Sequence, residues 1–172
     1  QHAELLVTLG RFERDQGNVT AALFDAIKAV PNYSEYEFSD LPADVWHLLY
    51  PVSYWRIVQR QARLNHVDPY LVMGLIRQES GFNPKATSGA NARGLMQMLP
   101  QTAAHGLSRR RRRVAGRRLY DPAYNIRVAC RYLSRTIKSF NGNLEQSLAA
   151  YNAGDNRVRE WLRAQSFNDP AE

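Results

Sequence analysis

Cysteine is almost missing. Cys130 is the only one, so no internal disulfide can hold this chain together. It lies beside Ala129 and Tyr132 on a helical pattern, which predicts a buried structural thiol rather than a nucleophile. Histidine is sparse as well. The four, at positions 2, 47, 66 and 105, fit neither a His-Glu-x-x-His nor a Cys-x-x-Cys spacing. No metal site is therefore expected, and nothing calls for a cofactor. No apolar run approaches the roughly 18 residues of a membrane span, which predicts a soluble chain without a transmembrane segment. The sequence opens Gln1-His2-Ala3 with no methionine, basic start or apolar h-region, so any export signal is expected to have been removed or to lie outside it. Strand patterns of more than a few residues are also lacking, which leaves a mainly α chain.

Excess charge is confined to one place. Arg109 to Arg113, with Arg117 and Arg118, supply seven arginines and account for the whole formal charge of +7. Such blocks bind nucleic acid or anionic surfaces in many proteins, and a solvated, self-repelling loop is the plainer reading. No basic-aromatic fingerprint accompanies the run, so a nucleic-acid partner is not expected.

What the sequence does contain is helical periodicity. Leu5, Leu6, Leu9 and Phe12 form one stripe ended by Gly17-Asn18, and Ala22, Leu23, Ala26 and Ile27 form a second ended near Pro31. These read as a helical hairpin whose apolar face must dock on the rest of the chain or continue a longer superhelix. Residues 1–50 are read as this helical lead-in and 51–172 as a second domain, with Pro51 at the boundary. Asp68-Pro69 opens a helix in which Leu71, Val72, Leu75 and Ile76 share one face. Glu79 continues that buried stripe, and Gly81 follows as a left-handed C-cap with Phe82 beside it. Burial and the negative helix end both raise a carboxyl pKa, and a carboxyl held protonated near neutral pH is what a general acid requires. The polar stretch from Pro84 to Arg93 reads as a loop, and Pro100 opens a short helix reaching Gly106. Asp121-Pro122, Asn143 and Asp155 are read as the caps of three further helices, the second ending at Gly154.

Three blocks occur in order: Glu79-Ser80-Gly81-Phe82-Asn83-Pro84, Gly94-Leu95-Met96-Gln97 and Ala150-Tyr151-Asn152-Ala153-Gly154, with Tyr120-Asp121-Pro122 and Asn125 between the last two. Together they resemble the soluble lytic transglycosylases, cell-wall enzymes of bacteria with a lysozyme-like α fold, from about Tyr50 to Leu162. The resemblance implies a small β or loop element in the cleft wall around Pro84 to Arg93, where Asn91 stands in place of a frequent glycine. It also implies a further segment after the last helix. The chain stops at Glu172 without it, so a C-terminally truncated domain is expected.

By resemblance the activity is cleavage of the β-1,4 bond between N-acetylmuramic acid and N-acetylglucosamine in peptidoglycan glycan strands. Glu79 would first protonate the glycosidic oxygen and then, as a base, take the C6 hydroxyl proton, closing a 1,6-anhydro ring. The muramic N-acetyl group would supply what a second carboxylate supplies in most glycosidases. Ser80 would hydrogen-bond substrate or Glu79, or else cap its helix. Gln97 would meet an acetamido group, Met96 would pack the cleft wall, and Tyr151 and Asn152 would line the site. Read without the family, Tyr151 is a core aromatic. Beside the plainer reading of a solvated loop, the Arg109 to Arg113 run is a candidate to adhere to an anionic wall polymer or membrane surface, and the substrate would put the location in the periplasm or otherwise in the cell envelope. Two alternatives remain on the sequence: a hydrolytic muramidase like the goose-type lysozymes, which needs a second carboxylate, and a non-catalytic wall-binding scaffold.

Overall fold

The computed structural model describes residues 1–104 and 115–164. Its elements in chain order are α1 (His2–Asp15), α2 (Val19–Ala29), α3 (Ala43–Leu49), α4 (Trp55–Asn65), α5 (Pro69–Ser80), α6 (Pro100–Ala103), α7 (Pro122–Ser139), α8 (Leu144–Ala153) and α9 (Asp155–Ala164). Single turns of 3₁₀ helix lie at Tyr33–Glu35 and Phe38–Asp40. The expected α class holds. Among the described residues β structure is limited to two antiparallel bridges, Thr87 with Arg93 and Arg93 with Met98. The bridges sit in the loop between α5 and α6, where the small β element was expected.

The caps explain why the helices begin where they do. Asp68 accepts from the backbone N–H groups of Tyr70 at 2.6 Å and Leu71 at 3.4 Å, satisfying donors that have no partner inside α5. Asp121 does the same for Tyr124 at 2.7 Å, and Asn143 for Gln146 at 2.9 Å. Replacing Asp68 by alanine is expected to lower stability by about 1 kcal/mol, read as a shifted urea midpoint at unchanged slope. Asp155 differs from its expected role. It is the first residue inside α9 rather than its cap, and its carboxylate lies 3.3 Å from Ser139 Oγ. Gly154, at φ +90°, closes α8 and leaves no room for a separate capping residue before α9.

One core joins most of the chain. Val58 and Ala62 of α4, Val72 and Ile76 of α5, and Ile126, Ala129 and Leu133 of α7 bury together with Phe82, Leu95 and Met96. Leu23 of α2 enters the same cluster, while Ala22, Ala26, Val45, Leu48 and Leu49 form a second. The hairpin is thus docked on α5 through α2. Phe24 comes so near Gly81 that a Cβ there would stand 3.1 Å from its ring, and Gly81 also takes φ +55°. The α1 stripe is a different matter: Gly10, not a leucine, is buried, against Ala22 and Leu48, while Leu5, Leu9 and Phe12 stay exposed. The close α1–α2 approach at a glycine turns the larger side chains outward. Cys130 is wholly buried, as the helical pattern predicts, and burial pushes its thiol up to about 12. No helix among the described residues is long and apolar enough to cross a membrane. Residues 105–114 and 165–172, with the Arg109 to Arg113 run and the expected helix end at Gly106, lie outside the described residues.

Candidate active site

Glu79 is the penultimate residue of α5, and Gly81 stops the helix behind it in the left-handed conformation. The carboxyl is half-buried, and that burial raises its pKa above the ordinary value of 4.5. Among the described residues no side chain bonds or ion-pairs with it. Two cavities meet at this residue. One, of about 530 Å³, is walled by Phe24, Tyr33, Arg77, Ser80 and Thr87. The other, of about 360 Å³, is walled by Met98, Tyr132, Tyr151, Asn152 and Ala153. Glu79, Ser88 and Gln97 border both. A third hollow of about 640 Å³ shares Thr102 and Tyr132 with the second, so the groove continues past α7. The result is an elongated cleft with Glu79 where the first two cavities meet and Asp155 at the far hollow.

The other positions singled out in the sequence gather around it in distinct ways. Ser80 Oγ lies 2.8 Å from the Leu95 carbonyl and 3.1 Å from that of Ile76, so its one proton is engaged within the protein. It ties the end of α5 to the Gly94–Gln97 turn. Met96 is completely buried. Its backbone N–H donates to Asn125 Oδ1 at 2.9 Å, and its carbonyl accepts from the Tyr151 hydroxyl at 2.8 Å. Gln97 holds a left-handed φ of 44°. Its amide nitrogen donates to Gly94 O at 2.9 Å and Ala86 O at 3.3 Å, which leaves its carbonyl oxygen as the acceptor for a ligand. Tyr151 is pushed well above its ordinary pKa of 10.0, first by burial and then by the nearby charge of Glu79. Asn152 is exposed at the rim.

Asn125 does more than its place after Tyr120-Asp121-Pro122 indicated. It is fully buried in α7, and its Nδ2 donates to Arg93 O and Leu119 O, each at 2.8 Å. Together with the Met96 bond, this amide fastens the loop that carries Gln97 to the central helix. Gly94 lets it come close: a Cβ there would sit 2.0 Å from Leu119 O and 2.5 Å from Asn125 Nδ2. A buried asparagine at a helical core position is the signal that could have marked it.

Residues 56–172 match the Transglycosylase SLT domain family. This chain is a member of that family. Over 117 residues it is 37% identical to the soluble lytic murein transglycosylase of Escherichia coli K12, covering 66% of this chain and 18% of that protein. It therefore spans less than a fifth of that relative. Among solved structures, it resembles an inactive glutamate-to-glutamine mutant of the lytic transglycosylase Slt from Pseudomonas aeruginosa. The TM-score is 0.75 at 30% identity, over 96% of this chain and 25% of that one. The 70-kDa soluble lytic transglycosylase of Escherichia coli gives 0.76 at 28% identity, over 94% and 25%. The lysozyme-like α fold of the SLT domain family is thereby shown, and both matches cover more of the chain than residues 51–172 alone.

Metal and second-carboxylate chemistry can be weighed on the same geometry. Among the described residues no group of three or more His, Cys, Asp or Glu side chains is placed to hold an ion. Among the described residues neither cavity at Glu79 contains another acid. Asp155 borders the third hollow, where Ser139 and Tyr132 neighbour it.

Proposed function

We propose that this SLT domain is a peptidoglycan lytic transglycosylase. It would cleave the β-1,4 bond from N-acetylmuramic acid to N-acetylglucosamine and leave a 1,6-anhydromuramoyl end. The observation that carries this reading is the lone half-buried Glu79 at the junction of two cavities with no other described acid in either. A glycan strand would lie along the groove with the scissile bond over Glu79. With its pKa raised by burial, Glu79 is suited to give a proton to the glycosidic oxygen as that bond breaks. The muramic acetamido oxygen closes on the anomeric carbon in place of a carboxylate nucleophile. Glu79, now ionised, takes the C6 hydroxyl proton while O6 displaces the acetamido oxygen, so the carboxyl ends protonated and no water is consumed.

The remaining residues receive roles that fit their hydrogen bonds. Gln97, its side-chain amide fixed by two donated bonds, offers its carbonyl oxygen to a substrate N–H. Asn152 contacts the strand at the rim. Ser80 and Met96 position the Gly94–Gln97 turn from behind, and Tyr151 secures it through the Met96 carbonyl. A hydrolytic muramidase would need a water-activating carboxylate across the bond, and neither of the two cavities that Glu79 borders holds another described acid. The substrate implies an extracytoplasmic, periplasmic or envelope location, and the Arg109 to Arg113 run would adhere to anionic wall polymer or membrane there.

Mass spectrometry of purified peptidoglycan digested by this chain tests the reading. The expected muropeptides are lighter than lysozyme products by one water. Products of hydrolytic mass would make it a muramidase. The turnover–pH profile should fall on its alkaline side at a pH above 4.5, because burial raises the Glu79 carboxyl.

A further inference from the structure

Outside the cleft, large aromatic side chains cluster where a monomer seldom leaves them. Phe38 is 72% exposed, Tyr50 49% and Tyr36 46%. With Trp46 and His47 they line a hollow of about 440 Å³ on the lead-in helices. The rings are ordered by contact. Trp46 lies nearly parallel to Phe38 at 6.0 Å and 15°, and its Nε1 donates to the Phe38 carbonyl at 3.0 Å, fixing the indole plane. Trp46 is 5.9 Å from Tyr50, and Tyr50 is 6.0 Å from Tyr33.

Tyr33 closes the sequence, because it also walls the larger cavity at Glu79. Arg77 pins this join. Its guanidinium lies 5.1 Å from the Tyr33 ring centre and 5.0 Å from that of Tyr50, and it donates to the Tyr33 hydroxyl and the Leu49 carbonyl. A chain of four rings in mutual contact therefore runs from the Glu79 cavity to the exposed hollow.

The geometry points to this row as a second glycan-binding site, which takes the pyranose rings of the same strand beyond the cleft. The inference rests on the reading of the cleft as a glycan cleft. Three features favour a sugar strand. The C–H faces of a pyranose pack on the electron-rich faces of aromatic rings. The hollow adds His47 and tyrosine hydroxyls for sugar hydroxyls, and no described carboxylate or lysine lines it. It also adjoins the cleft, because Tyr50 of the hollow touches Tyr33 and Arg77 of the Glu79 cavity, so a strand engaged at Glu79 has the hollow next to it. The site would favour long strands over short fragments, since only a long strand spans both places.

The test uses Phe38→Ala with Tyr36→Ala, both exposed enough that the fold does not depend on them. Each protein also carries Glu79→Gln, so strands stay intact while binding to long, peptide-free glycan strands and to tetrasaccharide fragments is measured. The double change is expected to weaken long-strand binding about five- to tenfold, with a smaller loss on the fragment. In the cleavage-competent chain, the ratio of long-strand to fragment turnover should fall in parallel. Equal long-strand affinity with and without the two rings would overturn the site. So would a dimer in sedimentation that dissociates when the rings are removed, which would make the patch an interface between copies. The cleft reading fails separately, by the absence of anhydro products from the unmodified chain, whatever the binding result.

Discussion

Glu79→Gln is expected to cut turnover of peptidoglycan by about 10³-fold, because the amide keeps the shape of the carboxyl and loses its transferable proton. The same variant should behave unusually in stability. Burial raises the carboxyl pKa in the folded state above that of the unfolded chain. The folded protein thus holds this proton more tightly, and the resulting stabilisation is complete below the ordinary value of 4.5. It is lost as pH rises through the elevated folded value, since the charge must then sit in the half-buried cleft. Glutamine cannot ionise. Thermal melts should accordingly show the variant close to the parent at low pH and more stable than it at neutral pH. A variant less stable at neutral pH would mean that the carboxylate is paired in the fold, and the site would need a different acid.

The second large effect lies at a residue outside the chemistry. Asn125→Ala removes the acceptor of the Met96 N–H and the donor to the Arg93 and Leu119 carbonyls, all around a completely buried side chain. Leaving these groups without partners, and a space where the amide was, should cost about 3 kcal/mol. The urea midpoint measures it. The folded fraction should also cleave peptidoglycan more slowly than the parent, because Gln97 is carried by the turn that Asn125 fastens. A loss well below about 1 kcal/mol would show that water replaces the amide without strain.

These two residues mark how far the sequence can be read. Glu79 was legible because helical spacing, the Asp68-Pro69 start and the Gly81 stop together define its face and its position at the helix end. The caps at Asp121 and Asn143 were legible for the same local reason. The left-handed Asn91, at φ 64°, also follows from the tolerance of asparagine for that region. Asp155 was misplaced by one residue, because Gly154 ends one helix and feeds the next with no spacer. Partners distant in sequence were not legible. Periodicity puts Asn125 on a buried face without saying that its amide clasps a loop some thirty residues away. Nor does it reveal that Ser80 and Tyr151 both bond carbonyls of the Leu95-Met96 segment. The outward turn of Leu5, Leu9 and Phe12 depends on how closely α1 and α2 approach at Gly10, which is a property of the pair and not of either stripe.

Cys130 lends itself to a different use. Because it is the sole thiol, wholly enclosed and kept protonated by burial, alkylating reagents can reach it only when the surrounding helices part. The chain thus carries its own opening clock. The labelling rate in the absence of denaturant reports how often the centre of the molecule becomes accessible, with no probe to be engineered and no second cysteine to confuse the signal.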